Sequence, residues 1–226
     1  DIREQIKLAA RGGVLEPNEL LDVKGTLVSA RRLKNLSEKG DIEPDAYPRL
    51  REIIAMLPPP LGLVDAISRT ISEKGDVLDS ASSKLASIRV ERRTTHARLM
   101  TKLQKIISND KNATMLQEPI ITQRDGRQVI PLQAQFKGKI KGIIHDQSSS
   151  GATLFIEPIS TVELNNQARE LQLAERDEER RVLAELCSQI GEHADVISTG
   201  VEALAQLDLA FAKAKYADAI EASEPL

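Results

Sequence analysis

The sequence predicts a mainly α protein with a small β domain: a helical core, a long antiparallel two-helix arm, and β structure at the tip of that arm. Three observations predict it. Two long segments, about 82–111 and 161–190, space their apolar residues so sparsely that each can bury only a narrow seam, as coiled-coil helices do. Between them, short apolar runs are separated by turn signals, Asp125-Gly126 and Ser148-Ser149-Ser150-Gly151. Outside them, richer apolar patterns are interrupted by prolines, the mark of short packed helices.

Taken in order, Asp1 to Ala10 reads as the end of a helix stopped by Gly12-Gly13. A second helix starts at Pro17, with Glu16 and Glu19 near its positive end and Leu20, Leu21, Leu27, Leu33 and Leu36 as its buried side. Pro44, Pro48 and Pro58-Pro59-Pro60 punctuate the next helices; Leu50, Ile53, Ile54 and Leu57 fall at helical spacing between them. A short helix over Leu61 to Ile71 ends in a turn at Lys74-Gly75-Asp76. In the first arm helix Leu85, Ile88, Leu99, Leu103 and Ile106 form the stripe, broken by Arg92 and His96. The second contains Glu175 to Arg181, seven charged residues in a row, a run expected to stay off any core.

Strands are expected at Ile120 to Thr122, Val129 to Leu132, Ile143-Ile144 and Thr153 to Ile156, with Pro131 restricting its strand to an edge or a bulge. Val201 to Ile220 is apolar at 14 of 20 positions, which reads as a helix inside a core. Charge ties the two arm helices together. Residues 84–111 carry eight Lys or Arg against two acids, and 163–185 carry four against seven. Antiparallel pairing predicts ion pairs of Arg92, Arg93 and Arg98 with Glu175, Glu178 and Glu179, each worth ~0–1 kcal/mol if exposed and serving to fix register.

Composition removes several functions. The chain has 226 residues, 41% hydrophobic and 29% charged, with net charge -3. Aromatics make up 2%, with no Trp, which argues against a base-stacking platform. A single cysteine, Cys187, allows no internal disulfide, points to a reducing compartment and reads as a small buried apolar residue. No apolar run approaches ~18 residues, so no membrane partner is expected. The start at Asp1 reads as a piece of a longer protein.

No phosphate loop of the form G-x-x-x-x-G-K-[ST] is present, and His96, His145, His193 and Cys187 show no metal-ligand spacing, so no metal site is expected. His145-Asp146 before Ser148, Ser149 and Ser150 resembles a triad in composition only. Adjacent strand residues point to opposite faces, so a polar turn fits better than catalysis. The informative cluster is basic: Arg124, Arg127, Lys137, Lys139 and Lys141 against Asp125 between Pro119 and His145, net +4. Lysines at every second residue of Phe136 to Gly142 would share one face of a strand, a surface suited to a polyanion or a lysine-guarded edge. With no aromatic or Asn/Gln cluster, such contacts would engage the phosphate backbone rather than base sequence.

These residues carry a resemblance. Gln117 to Thr122, Asp125 to Pro131, Gly142 to Pro158 with its His-Asp-x-Ser-x-Ser-Gly-Ala-Thr run, Val162-Glu163-Leu164-Asn165-Asn166, Gly12 to Leu15 and Ala203 to Asp208 resemble the bacterial type-II MutS paralogues, the Smr-bearing endonuclease relatives of mismatch-repair MutS. Gln128 stands where Tyr is usual, and Lys141 where Pro is common.

The resemblance implies a core region (1–80), an outgoing lever helix (81–112), a β-rich clamp (113–159), a returning lever helix (160–192) and a core helix (193–226) leading toward an ATPase domain. It implies a cytoplasmic, homodimeric, nucleic-acid-clamping protein whose partners are duplex or branched DNA or the ribosome. Its implied roles are suppression of homologous recombination and rescue of collided ribosomes. ATP and Mg belong to the family's ATPase and strand cleavage to its Smr domain, so this stretch itself is expected to hold no cofactor and no catalytic residue. Clamp contact carries over to Arg124, Arg127, Lys137, Lys139 and Lys141. The alternative is a dimerising, motion-transmitting or ribosome-docking module with no nucleic-acid affinity of its own.

Overall fold

The computed structural model describes residues 1–38 and 47–222, so the expectation at Pro44 lies outside the described residues. The helices are α1 (Arg3–Ala10), α2 (Pro17–Glu38), α3 (Pro48–Ala55), α4 (Leu63–Thr70), α5 (Ser83–Ile107), α6 (Asp110–Ala113), α7 (Val162–Glu192) and α8 (Ala194–Ala219). Four strands, β1 (Thr122–Arg124), β2 (Arg127–Gln133), β3 (Gly142–Gln147) and β4 (Thr153–Pro158), lie between α6 and α7. The mainly α fold with one small antiparallel sheet is as the sequence predicts. The chain divides into two compact units, residues 1–82 with 179–222, and residues 83–178.

In the first unit, α2 begins at Pro17, whose fixed φ suits the first helical turn. Leu20, Val23 and Leu27 are buried, together with Ile2, Ile6, Ile67, Leu186 and Ile190, in one apolar cluster. Leu36 departs from its expected burial and is 50% exposed. Cys187 is buried in the same cluster, where the Leu15 amide donates to its Sγ at 3.2 Å. Burial pushes the thiol pKa up against that hydrogen bond. A smaller cluster joins Ala30, Ile54 and Leu57 to Ala203 and Leu207 of α8.

The expectation that 201–220 is a core helix holds only for its beginning. Ile197, Val201, Ala203 and Leu207 are buried, but Leu209, Phe211, Tyr216 and Ile220 are each at least half exposed. Apolar composition gives a helix the capacity for burial; a packed neighbour is still needed, and past Leu207 the described residues of this unit supply none.

In the second unit, α5 buries Leu85, Ile88, Thr95, Leu99, Leu103 and Ile107, a seam in which Thr95 stands where an apolar residue would continue the stripe. Leu99, Leu103 and Ile107 pack with Ile130, Leu132, Leu154 and Ile156 from one face of the sheet. The strand order is β1-β2-β4-β3, all antiparallel. Asp125 (φ 48°) and Gly126 (φ 78°) make the tight β1–β2 turn, the backbone for which Asp-Gly is suited. Contrary to expectation, Pro131 sits on an interior strand without a bulge; it is tolerated because its carbonyl, and hence its missing N–H, faces Gln117 ahead of β1, where pairing is reduced to an isolated bridge at Leu132.

The antiparallel ion pairs between α5 and α7 form, Arg92 with Glu175 as expected and others with Lys84 and Arg89 in addition, and they are more buried than expected. Lys84 reaches Glu178 (3.2 Å), while Arg89 (2.9 Å) and Arg92 (3.0 Å) converge on Glu175. Glu175 and Glu178 are buried, at 7% and 1% exposure, so the charged run does turn two carboxylates inward. Cations from α5 make this possible, because a buried charge survives only when it is paired. Arg92 Nε lies close to Glu175 Oε2 without the alignment of a hydrogen bond, and that oxygen has no other hydrogen-bond partner.

Two outcomes are expected. Leu103→Ala empties a fully buried position between α5 and the sheet and should lower the unfolding free energy by about 3 kcal/mol in a urea titration. Cys187, buried and with its thiolate disfavoured, should react with a disulfide reagent at mildly alkaline pH at least ~10-fold more slowly in the folded chain than in denaturant.

Candidate nucleic-acid interface

The two faces of the sheet divide apolar from polar work. Ile130, Leu132, Leu154 and Ile156 face the α5 seam. Arg124 and Arg127, Cα partners across the β1–β2 hairpin, lie on the other face with Phe155 and Glu157 of β4. Glu157 is fully buried and is the centre of that face. Arg127 Nη1 donates to both of its carboxylate oxygens (2.9 and 3.1 Å), and Arg127 Nη2 donates to Asn166 Oδ1 of α7 (2.8 Å). His145 Nε2 lies 2.6 Å from Glu157 Oε2, a contact in which the ring N–H donates and the carboxylate accepts.

His145 reaches Glu157 because β3 slips register between Ile144 and Asp146. A bulge bends the strand and re-aims the extra residue, here toward the polar face. Gly142, which opens β3, lets the strand approach closely: a Cβ there would lie 2.6 Å from the Glu157 carbonyl oxygen. Asp146 turns instead to Arg124 Nε (3.0 Å), and the Arg124 guanidinium lies over the Phe155 ring at 3.9 Å. Ser148 Oγ accepts from the Thr153 amide (3.0 Å) and sits 3.3 Å from Ser150 Oγ. The His-Asp-Ser run is therefore a bulge followed by a polar turn; the turn is as expected, but the bulge sends His145 and Asp146 to the same face rather than to opposite ones, each onto its own partner.

Where β4 ends at Pro158, α7 takes over the ladder. The Gln128 amide donates to Asn165 Oδ1 (2.9 Å) and Asn165 Nδ2 donates to the Gln128 carbonyl (3.1 Å). The Asn165 side chain, 3% exposed, thus behaves as one more peptide group beside β2. This role escapes periodicity analysis, since an asparagine on a helix ordinarily reads as a surface residue; the Asn165-Asn166 pair marked by the resemblance was the only signal.

The sequence-selected cations separate accordingly. Arg127 is 29% exposed and holds Glu157 and Asn166, so its reading as a free surface contact is revised to one of positioning. Arg124 is half-engaged by Asp146 and Phe155. Lys137, Lys139 and Lys141 are exposed, and none makes a side-chain hydrogen bond or ion pair among the described residues. They do not share a strand face, however. Residues 137–140 form a turn after a 3-10 segment at Ala134–Phe136, with Gly138 at φ 83°, and β3 begins only at Gly142. The glycines on either side of Lys139 weaken a strand and favour this turn. The lysines consequently project from a loop.

Comparison with known proteins finds no matching family model. Over its whole length the chain is similar to a segment of the proteins named Endonuclease MutS2. It is 46% identical to that of Geobacillus sp. (strain WCH70), 43% to that of Geobacillus thermodenitrificans and 41% to that of Halalkalibacterium halodurans. It spans about 29% of the length of each. The resemblance carried by the motifs is thereby borne out.

Removing the central carboxylate leaves Arg127 and His145 without their common partner. Glu157→Ala should lower the unfolding free energy by about 2–4 kcal/mol, discounted for the partial exposure of Arg127, whereas Lys139→Ala should change it by less than about 0.5 kcal/mol. Urea unfolding of the two variants side by side measures the difference.

Proposed function

We propose that this chain, a segment of the MutS2 family, works as the core, lever and clamp of a larger nucleic-acid-binding protein. In this reading 1–80 and 193–226 are core, 81–112 and 160–192 the lever helices, and 113–159 the clamp. The clamp holds the phosphate backbone of duplex or branched DNA and reads no base sequence. The observation that carries the reading is the loop of three exposed lysines, Lys137, Lys139 and Lys141, without acidic partners among the described residues. Arg124, partly engaged by Asp146, adds a further cation in the same unit, and Arg127 holds Glu157 in place. The roles that follow for the whole protein are control of recombination and action on stalled ribosomes as a homodimer, with ATP hydrolysis and strand cleavage residing outside this stretch.

A second reading, an interaction module that dimerises or docks on a ribosome, draws support from the exposed Leu209, Phe211 and Tyr216 of α8. The two differ in what free DNA does. A mobility-shift titration at two salt concentrations should show sequence-independent binding, and three backbone contacts would weaken it roughly 40-fold between 50 and 200 mM salt, from a slope of about 0.9 per phosphate. The variant K137E/K139E/K141E should lose most of that affinity. Equal affinity of variant and parent would refute the lysine loop as the contact, and dimerisation with no shift would favour the second reading.

A further inference from the structure

The second unit contains a cleft of about 330 Å³ that the lysine loop does not line. Its walls are α5, α7 and the β1–β2 hairpin, and Arg92, Arg93 and Arg169 line it together with His96. Gln123 and Gln128 add amides, Leu99 an apolar patch, and no carboxylate lines it. We propose that this cleft is a phosphate site that grips the backbone of a bound nucleic-acid strand, an inference resting on the nucleic-acid reading above.

The cations are held in place by the fold. Arg92 is ion-paired with Glu175 (Nε to Oε2 3.0 Å), and its terminal nitrogens make no hydrogen bond among the described residues. The ion pair keeps the guanidinium beside the cleft, where its planar fork can meet a phosphate. Arg169 Nη1 donates to Gln172 Oε1 one turn further along α7 (3.0 Å). The hairpin turn comes close to it: the Cβ position at Gly126 lies 3.4 Å from Arg169 Nη1. His96 adds a further N–H donor on the α5 side. A concave site of this volume, convergent in donors and lacking acceptor charge, suits an oxyanion better than an apolar or cationic ligand. Gln128, which occupies a position where the family resemblance has Tyr, places an amide where a ring would fill the space.

The test uses the 226-residue chain with pyrophosphate and a short duplex as probes, in parent, H96E/R169E, H96Q/R169Q and K137E/K139E/K141E. His96 and Arg169 are exposed, so both double variants should keep the parental unfolding midpoint. Calorimetry at low salt should show pyrophosphate bound by the parent and by the lysine variant, bound ~10-fold more weakly by H96Q/R169Q, and not by H96E/R169E. Duplex affinity should fall ~10-fold in H96E/R169E, with a reduced salt slope. Unchanged affinity for both probes in that variant overturns the proposal. Loss of pyrophosphate binding with duplex affinity intact assigns the cleft to a free phosphate compound and overturns the backbone assignment. Loss of duplex binding in the lysine variant alone leaves the clamp reading standing and removes the cleft. A parent that binds pyrophosphate but no duplex removes both readings of the nucleic acid.

Discussion

A single buried carboxylate organises the β module. Glu157 has no exposure, and such a group costs several kcal/mol of desolvation unless the chain returns donors to it. Here the donors come from β2 and β3, through Arg127 and His145, and Arg127 extends the bonding to Asn166 of α7. Three strands and a helix must therefore be correctly placed before the charge is satisfied. The β3 bulge and the close approach at Gly142 both serve this contact.

The α5–α7 pairing obeys the same constraint. Glu175 and Glu178 occupy buried positions that leucines would fill in a simple two-helix seam, and they are matched by Arg89, Arg92 and Lys84. Replacing buried ion pairs by apolar residues is often neutral or stabilising. What the charges add is register: sliding one helix by a turn strands a carboxylate. Both polar centres thus convert charge complementarity into position, and the apolar layer of Leu99, Leu103, Ile130 and Ile156 supplies the burial energy.

The cations consequently fall into two populations. Arg89 and Arg127 are spent inside the unit on carboxylates, whereas Lys137, Lys139 and Lys141 stay in solvent on a turn. Arginine suits the first task because its planar fork satisfies a carboxylate in fixed geometry; lysine suits the second because a flexible, hydrated ammonium can meet a phosphate at many positions. Arg92 belongs to both, paired through Nε and lining a cleft with its side chain.

The sequence by itself determined the long helices, the hairpin at Asp125-Gly126, three of the four short strands and the antiparallel charge matching of α5 with α7; the first strand lies at Thr122–Arg124 rather than 120–122. These follow from local periodicity, turn chemistry and net charge, which act over a few residues or over whole segments. It also carried the motifs that align with the MutS2 proteins. It did not determine that Glu175 and Glu178 face inward, that 137–140 is a turn, that Arg127 is occupied, or that the second half of α8 is exposed. Each depends on which distant group arrives beside it. Burial of a charge is decided by its partner, and exposure of an apolar helix by the absence of one among its neighbours. Those partners, Arg89 for Glu175 and Glu157 for Arg127, are far away in the chain and meet only in the folded unit.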